Sequence, residues 1–357
     1  MLVANIRQDN VYHKHSGIRE RANNVPEGRS LDTLAQLETE AKKPPVDDDF
    51  TVGGGVDRQD QKALGKRARR KTFTQALALG LVDAGKQSGR KLEKSYWNSW
   101  WCASTLVMDK NERLCTHYCK TRWCMVCNAI RTAQHIIKYT PIISSWDDAH
   151  FVTLTETNCR AKDLRVRIDA MQKLFTDIKN TLRKRWLRSD RSAPKFKGIR
   201  KLECTYNSTR GDFNPHFHLI IESAADAEFV HNEWLRRNPL AGVQGQECKR
   251  AYGQNNGLSE LFKYMTKVVS TIGGKREIEA TALDIIFQAM HRKRVIQTFG
   301  FKVGSAETGT SVDRADVDTI FQWQSEAYDW VDVNTGELLT GYTPSKKFLE
   351  FLDKYKR

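Results

Sequence analysis

His216 and His218 stand one residue apart in the run 213–221, where β-branched and aromatic residues dominate. Pro215 sits near the start of that run, where a missing N–H is tolerated, and the whole predicts a β-strand. Side chains alternate along a strand, so both imidazoles point to one face while Phe217, Leu219 and Ile221 point to the other, into a core. Two imidazoles side by side can grip one divalent cation. Taken alone, the pair reads as readily as two hydrogen-bonded surface histidines.

A second set is made of thiols. Cys119, Cys124 and Cys127 have the spacing C-x4-C-x2-C, which lets three thiolates converge on one tetrahedral Zn²⁺. A closed structural site needs a fourth ligand; Cys102 is the first candidate, Cys115 the second and His117 the third. The plain alternative is a chance cluster of free thiols. Five of the eight cysteines fall between Cys102 and Cys127, and clustering of this kind in a cytosolic chain argues for metal rather than disulfides.

A third set lies in 258–269, which reads as a helix. Glu260 and Tyr264 are four residues apart and Lys267 follows three later, so the three share a face, with Leu261, Met265 and Val268 forming the apolar one. A phenol flanked by a carboxylate and an ammonium is a candidate nucleophile. The alternative is a tyrosine half-packed beside an ordinary surface ion pair.

These groups need elements to carry them. The run 151–155 alternates threonine with apolar residues and predicts a strand. Leu164, Ile168, Met171, Leu174, Phe175, Ile178, Leu182 and Trp186 recur at threes and fours, which predicts a long amphipathic helix with a basic opposite face. A strand at 202–206 is turned back by the polar, glycine-containing 207–212 into the histidine strand, making an antiparallel hairpin. With the turn near Arg210 and Gly211, Glu203 lies across from the histidines; whether it shares their face depends on a register that the sequence leaves open. On the same face, it would complete a mixed set of two imidazoles and one carboxylate suited to Mn²⁺ or Mg²⁺, with positions left for a phosphate oxygen. Helices are also predicted over 128–138, over 224–237 and from Leu283, with a last strand or turn at 298–302.

The chain's 357 residues allow two or three domains. A net charge of +15 favours a polyanionic partner, most simply nucleic acid. Hydrophobic residues make up 39%, which leaves room for a disordered portion. No run approaches the ~18 apolar residues of a membrane span, and no apolar leader follows Met1, so a soluble, cytosolic protein without a membrane partner is expected. The expected divisions are a largely disordered 1–60, a basic helical 61–95, a Cys-rich zinc module at 96–147, a domain at 148–305 carrying the histidines and Tyr264, and a C-terminal extension at 306–357. For the basic first half of the helix at 61–85, tracking phosphates and forming a solvated face are both open. For Trp97, Trp100 and Trp101, core packing leads base stacking.

Three signals stand in one order: F-V-T-L-T at 151–155, H-F-H at 216–218 after a Glu-bearing strand, and K-Y-x-x-K at 263–267 with Glu260 four residues before the tyrosine. Over roughly residues 97–304 this arrangement resembles the plasmid rolling-circle replication initiators, the Rep branch of the HUH endonucleases. The cysteine segment 118–127 is similar to one found upstream of the catalytic domain in some of those proteins. Met125 stands where a proline often follows the middle cysteine, and Asn214 where another histidine often stands; neither departure removes a candidate ligand or nucleophile.

The resemblance implies an α+β fold, a central antiparallel sheet with flanking helices, joined to a small zinc-stabilised module. It implies a single-Tyr nickase–ligase. A metal on His216 and His218, with Glu203 as third ligand, would polarise the scissile phosphate. Tyr264 would attack it, leaving a 5′-phosphotyrosine and a free 3′-OH. Lys267 would stabilise the phenolate or the phosphorane, and Glu260 would activate water at termination. The implied partners are origin DNA, as a single-stranded or hairpin nick site plus duplex, with a host helicase and DNA polymerase. The implied setting is the cytoplasm of a plasmid-bearing bacterium. Two rival readings stand beside it: a single-Tyr transposase or relaxase of the same superfamily, and a non-catalytic, zinc-stabilised DNA-binding protein.

Overall fold

The computed structural model describes residues 61–189, 191–192, 195–251, 261–262, 267–272, 275–302 and 317–355. The disorder expected for 1–60, and the candidates Glu260 and Tyr264, lie outside the described residues.

The chain is a mixed α+β protein. In order its elements are α1 (Gln61–Gln87), α2 (Glu93–Trp100), β1 (Thr105–Asp109), β2 (Leu114–Thr116), α3 (Met125–Ile143), β3 (His150–Thr155), α4 (Leu164–Arg188), β4 (Gly198–Asn207), β5 (Asp212–Ile221), α5 (Ala224–Arg237), β6 (Glu247–Arg250), β7 (Ser270–Ile272), β8 (Lys275–Glu277), α6 (Ala280–Ala289), β9 (Ile296–Phe299), β10 (Val317–Gln324), β11 (Asp329–Asp332) and α7 (Lys346–Asp353). The described residues divide into two compact units, one drawn from 132–275 and 282–302, the other from 61–131, 276–281 and 317–355. Each has its own antiparallel sheet.

The first of these units holds a five-stranded sheet in the order β6-β3-β5-β4-β9, with the histidine strand at its centre. Alternation along β5 sends Phe217, Leu219 and Ile221 to one face, where all three are buried. There the Phe217 ring lies 5.8 Å from Phe175 of α4 and 5.9 Å from Trp234 of α5. Helix α4 buries Leu164, Ile168, Met171, Phe175, Ile178 and Leu182, one stripe at the spacing of three and four that its sequence shows. Helix α5 starts at Ser223, whose hydroxyl accepts from the Asp226 amide at 3.3 Å and so satisfies one of the first turn's orphan donors. Phe217→Ala is expected to cost about 3–5 kcal/mol of unfolding free energy, read by urea denaturation, because it removes the ring on which two helices meet.

The other face of the sheet carries the histidines. Part of it is covered by an apolar cluster in which Tyr139 and Ile143 of α3, Trp146, and Leu261 and Phe262 pack against Phe151, Ile199 and Ile220. The Phe262 carbonyl accepts from the Thr132 hydroxyl at 2.9 Å, and its ring stacks on Tyr139 and His135.

The second unit holds a four-stranded sheet, β11-β10-β1-β2. Its strands β10 and β11 come from the segment expected as a C-terminal extension, and β10 pairs with β1 directly, Leu106 opposite Phe321. Trp323 and Trp330 meet edge to face at 4.7 Å, with their indoles donating to Gln75 Oε1 at 2.9 Å and to the Ala103 carbonyl at 2.7 Å. Trp100 is fully buried against Ala78 and Leu79, a core role rather than a base-stacking one. The basic half of α1 is also more internal than either reading of it: Lys71 is fully buried and donates to the Trp100 carbonyl at 2.5 Å and to Ser104 Oγ at 2.9 Å. Buried Arg67 bonds to the Tyr118 hydroxyl, leaving Lys62, Lys66 and Arg69 as the exposed cations of that half. Among the described residues no helix is long and apolar enough to cross a membrane.

Candidate functional site

The geometry begins in the β4–β5 turn. Asn207 pairs with Asp212, leaving four residues to reverse the chain. Gly211 takes φ +64°, a left-handed conformation that glycine adopts without a Cβ clash. The Asn207 carbonyl accepts from the Gly211 amide at 2.8 Å, and its side-chain oxygen accepts from the Arg210 amide at 3.0 Å. Counting back from this closed turn puts Glu203 opposite His216 and Lys201 opposite His218. Directly paired residues share a face, so Glu203 lies on the histidine face.

The three side chains converge. Glu203 Oε2 lies 3.6 Å from His216 Nε2 and 3.8 Å from His218 Nε2. The two rings are nearly perpendicular, with centroids 4.8 Å apart. Both Nδ1 atoms are occupied elsewhere. His216 Nδ1 donates to the Asn214 carbonyl at 3.0 Å, and His218 Nδ1 lies 3.2 Å from the hydroxyl of Thr153, its pair on β3. A donated Nδ1–H puts the ring's lone pair on Nε2, the outer-shell arrangement found behind metal-binding histidines. Asn214 also donates through its side chain to Asn158 Oδ1 at 3.0 Å.

The donor set fits a small divalent cation. Ligand atoms at about 2.1 Å from an octahedral ion, at right angles, stand about 3 Å apart. The observed separations of 3.6 and 3.8 Å close to that with shifts of under about 1 Å. Burial would raise the Glu203 carboxyl, but the adjacent His216 imidazole and the Lys201 ammonium outweigh it and hold the carboxyl below its usual range. Lys201, which is 1% exposed, pairs with the other carboxylate oxygen, Oε1.

The helix segment read as carrying the nucleophile is represented by Leu261, Phe262 and Lys267 among the described residues. Leu261 and Phe262 are buried in the apolar cluster beside the histidines, where Phe151 lies 5.4 Å from the His218 ring; Lys267 is exposed.

In the other unit, Cys102, Cys119, Cys124 and Cys127 form a second group, their sulfurs all within 4.8 Å of one another. Zn–S bonds of about 2.3 Å place tetrahedral sulfurs about 3.8 Å apart. Here Cys102 and Cys127 are 3.4 Å apart, and Cys119 and Cys127 3.6 Å, far too long for a disulfide. Backbone amides of Cys119 and Cys127 point at the sulfurs of Cys102 and Cys124, each at 3.4 Å, as donors to thiolates do. Burial opposes charge in this group, but hydrogen bonds from Cys102, Cys124 and Cys127 bring the Cys119 thiol well below its usual range. Cys115 is buried in β2 with its sulfur turned to the Arg113 carbonyl, and neither it nor His117 joins the group.

The sequence pattern of the replication protein family matches residues 112–334, more than half of the chain and a stretch that includes the Glu203–His216–His218 cluster. The chain belongs to that family. A relative named "Protein rep" from Staphylococcus aureus is 30% identical over 176 residues, which cover 45% of this chain and 74% of the relative. No solved structure matches.

Two residues of this replication protein's site went unnoticed in the sequence. Lys201 stands two before Glu203 on a strand, and period-2 alternation places it on the same face. Thr153 belongs to the alternating threonines of β3, but its contact with His218 follows from the pairing of β3 with β5.

Proposed function

We propose that this replication protein is a rolling-circle initiator of the HUH endonuclease type. It nicks one strand of a plasmid origin with Tyr264 and rejoins ends at termination. The observation that carries this reading is the convergence of Glu203, His216 and His218 at the centre of an antiparallel sheet. The burial of Leu261 and Phe262, three and two residues before Tyr264 in the sequence, in the cluster on the same face supports it.

His216 Nε2, His218 Nε2 and Glu203 Oε2 would hold Mn²⁺ or Mg²⁺, whose chemistry is to polarise the scissile phosphate. The Tyr264 phenolate attacks phosphorus in line. As the P–O(Tyr) bond forms, the bond to the 3′ oxygen breaks; that oxygen leaves with the electron pair and takes a proton, giving a free 3′-OH and a 5′-phosphotyrosine. Lys267 stabilises the phenolate or the charge growing on the phosphorane. At termination Glu260 accepts a proton from the water that releases the tyrosine. The 3′-OH primes a host polymerase behind a host helicase, in the bacterial cytoplasm. Exposed Lys and Arg side chains supply most of the DNA affinity through phosphates.

The test is a cleavage assay with the full chain, Mn²⁺ and single-stranded origin DNA from its own replicon, followed by mass spectrometry. The expected product is one 5′-phosphoryl adduct on Tyr264. Binding without cleavage under any divalent ion would make the protein a non-catalytic DNA binder.

Zn²⁺ held by Cys102, Cys119, Cys124 and Cys127 stabilises the other unit in this reading. Elemental analysis is expected to find about one zinc per chain. Cys124→Ser is expected to lower the melting temperature of the cysteine-bearing unit while leaving Mn²⁺ binding at the histidines intact. Zinc-free protein with all eight thiols freely reactive would sink the assignment.

A further inference from the structure

We propose that Lys201 makes Glu203 a one-oxygen ligand and thereby sets which divalent ion the histidine site accepts. The proposal rests on the reading of that site as a metal centre.

The two oxygens of Glu203 have separate partners. Oε1 is paired with the Lys201 ammonium, while Oε2 is the atom that faces both imidazoles at 3.6 and 3.8 Å. Lys201 approaches from within the sheet, 1% exposed, on the same strand as Glu203 and opposite His218. Burying an ammonium and a carboxylate together costs desolvation that an apolar pair would avoid. The neighbouring β4 positions Ile199 and Leu202 are fully buried and apolar, so this strand accommodates such residues. What the charge does here is hold one oxygen of the carboxylate.

An ammonium on Oε1 prevents that oxygen from closing a bidentate chelate. Ca²⁺ takes six to eight oxygens and gains from bidentate carboxylates, whereas Mg²⁺ demands compact octahedral geometry and Mn²⁺ accepts imidazole with carboxylate. A site of two imidazoles and one carboxylate oxygen therefore discriminates against Ca²⁺. Removing Lys201 has two separable effects. Loss of a positive charge strengthens binding of every divalent ion alike. Release of Oε1 favours Ca²⁺ in particular, and only this second effect changes the ratio of affinities.

The experiment compares the full-length protein with Lys201→Met, following free Mn²⁺ by electron paramagnetic resonance while Ca²⁺ is titrated in. The expected result is a Ca²⁺-to-Mn²⁺ affinity ratio raised by about tenfold or more, the scale of outer-shell effects on metal sites. An unchanged ratio overturns the proposal, even if both affinities rise. If Lys201→Met fails to fold, as judged by circular dichroism, the unsubstituted protein decides. Its Mn²⁺-bound minus Mn²⁺-free infrared spectrum should show the widely separated carboxylate stretches of one-oxygen ligation, and a narrow, bidentate separation overturns the proposal. His216→Ala is the control for the underlying reading. If it binds Mn²⁺ as well as the parent does, the metal centre itself is misassigned and the role of Lys201 falls with it.

Discussion

Tyr264→Phe is expected to bind origin DNA as the parent does and to form no covalent adduct. The substitution removes one oxygen, the atom that becomes bonded to phosphorus, and leaves the rest of the side chain unchanged. Glu260→Ala should behave differently. It keeps the nucleophile and the metal ligands, so the first nick and the phosphotyrosine should form at parental rate. Release by water should fail, because no base remains to take the proton, and adduct should accumulate or revert by religation. Gel assays of adduct against time separate the two variants. Termination at parental rate in Glu260→Ala would remove Glu260 from the mechanism, and an adduct in Tyr264→Phe would mean that another tyrosine is the nucleophile.

His216→Ala and His218→Ala are expected to lose about 10³-fold in cleavage rate, the equivalent of about 4 kcal/mol of transition-state stabilisation. Duplex-DNA affinity should change little, because it rests on cationic contacts to phosphates that these changes leave alone. Folding should survive as well. The imidazoles lie on the opposite face of β5 from Phe217, Leu219 and Ile221, which are buried, with the Phe217 ring packed against α4 and α5. Mn²⁺-dependent nicking by the double variant would show that these histidines are not the ligands.

What could be read without the structure was local. Alternation along 213–221 assigned the two histidines to one face and Phe217, Leu219 and Ile221 to the other, because a strand's period of two is a property of the backbone alone. The spacing of three and four in 164–187 likewise singled out all six residues that α4 buries, together with Leu174 and Trp186, which are only half-buried. The spacing C-x4-C-x2-C marked three of the four clustered thiols, since a short loop brings its own ends together whatever surrounds it.

What needed tertiary structure was every relation between distant segments. Glu203 joins the histidines only because a four-residue turn closed by Asn207 sets the hairpin register, and a slip of one residue would send it to the opposite face. Cys102 was one of three candidates for the fourth thiol position; it meets the others because β1 and β2 place Cys115 in a strand with its sulfur turned away. Strands β10 and β11, more than 200 residues after β1, complete the sheet beside the cysteines, a pairing that no local pattern encodes. Arg67 and Lys71 read as surface cations because charge favours water. They are buried because the hydroxyl of Tyr118, the carbonyl of Trp100 and the hydroxyl of Ser104 are waiting for them, partners that only the folded chain brings within reach.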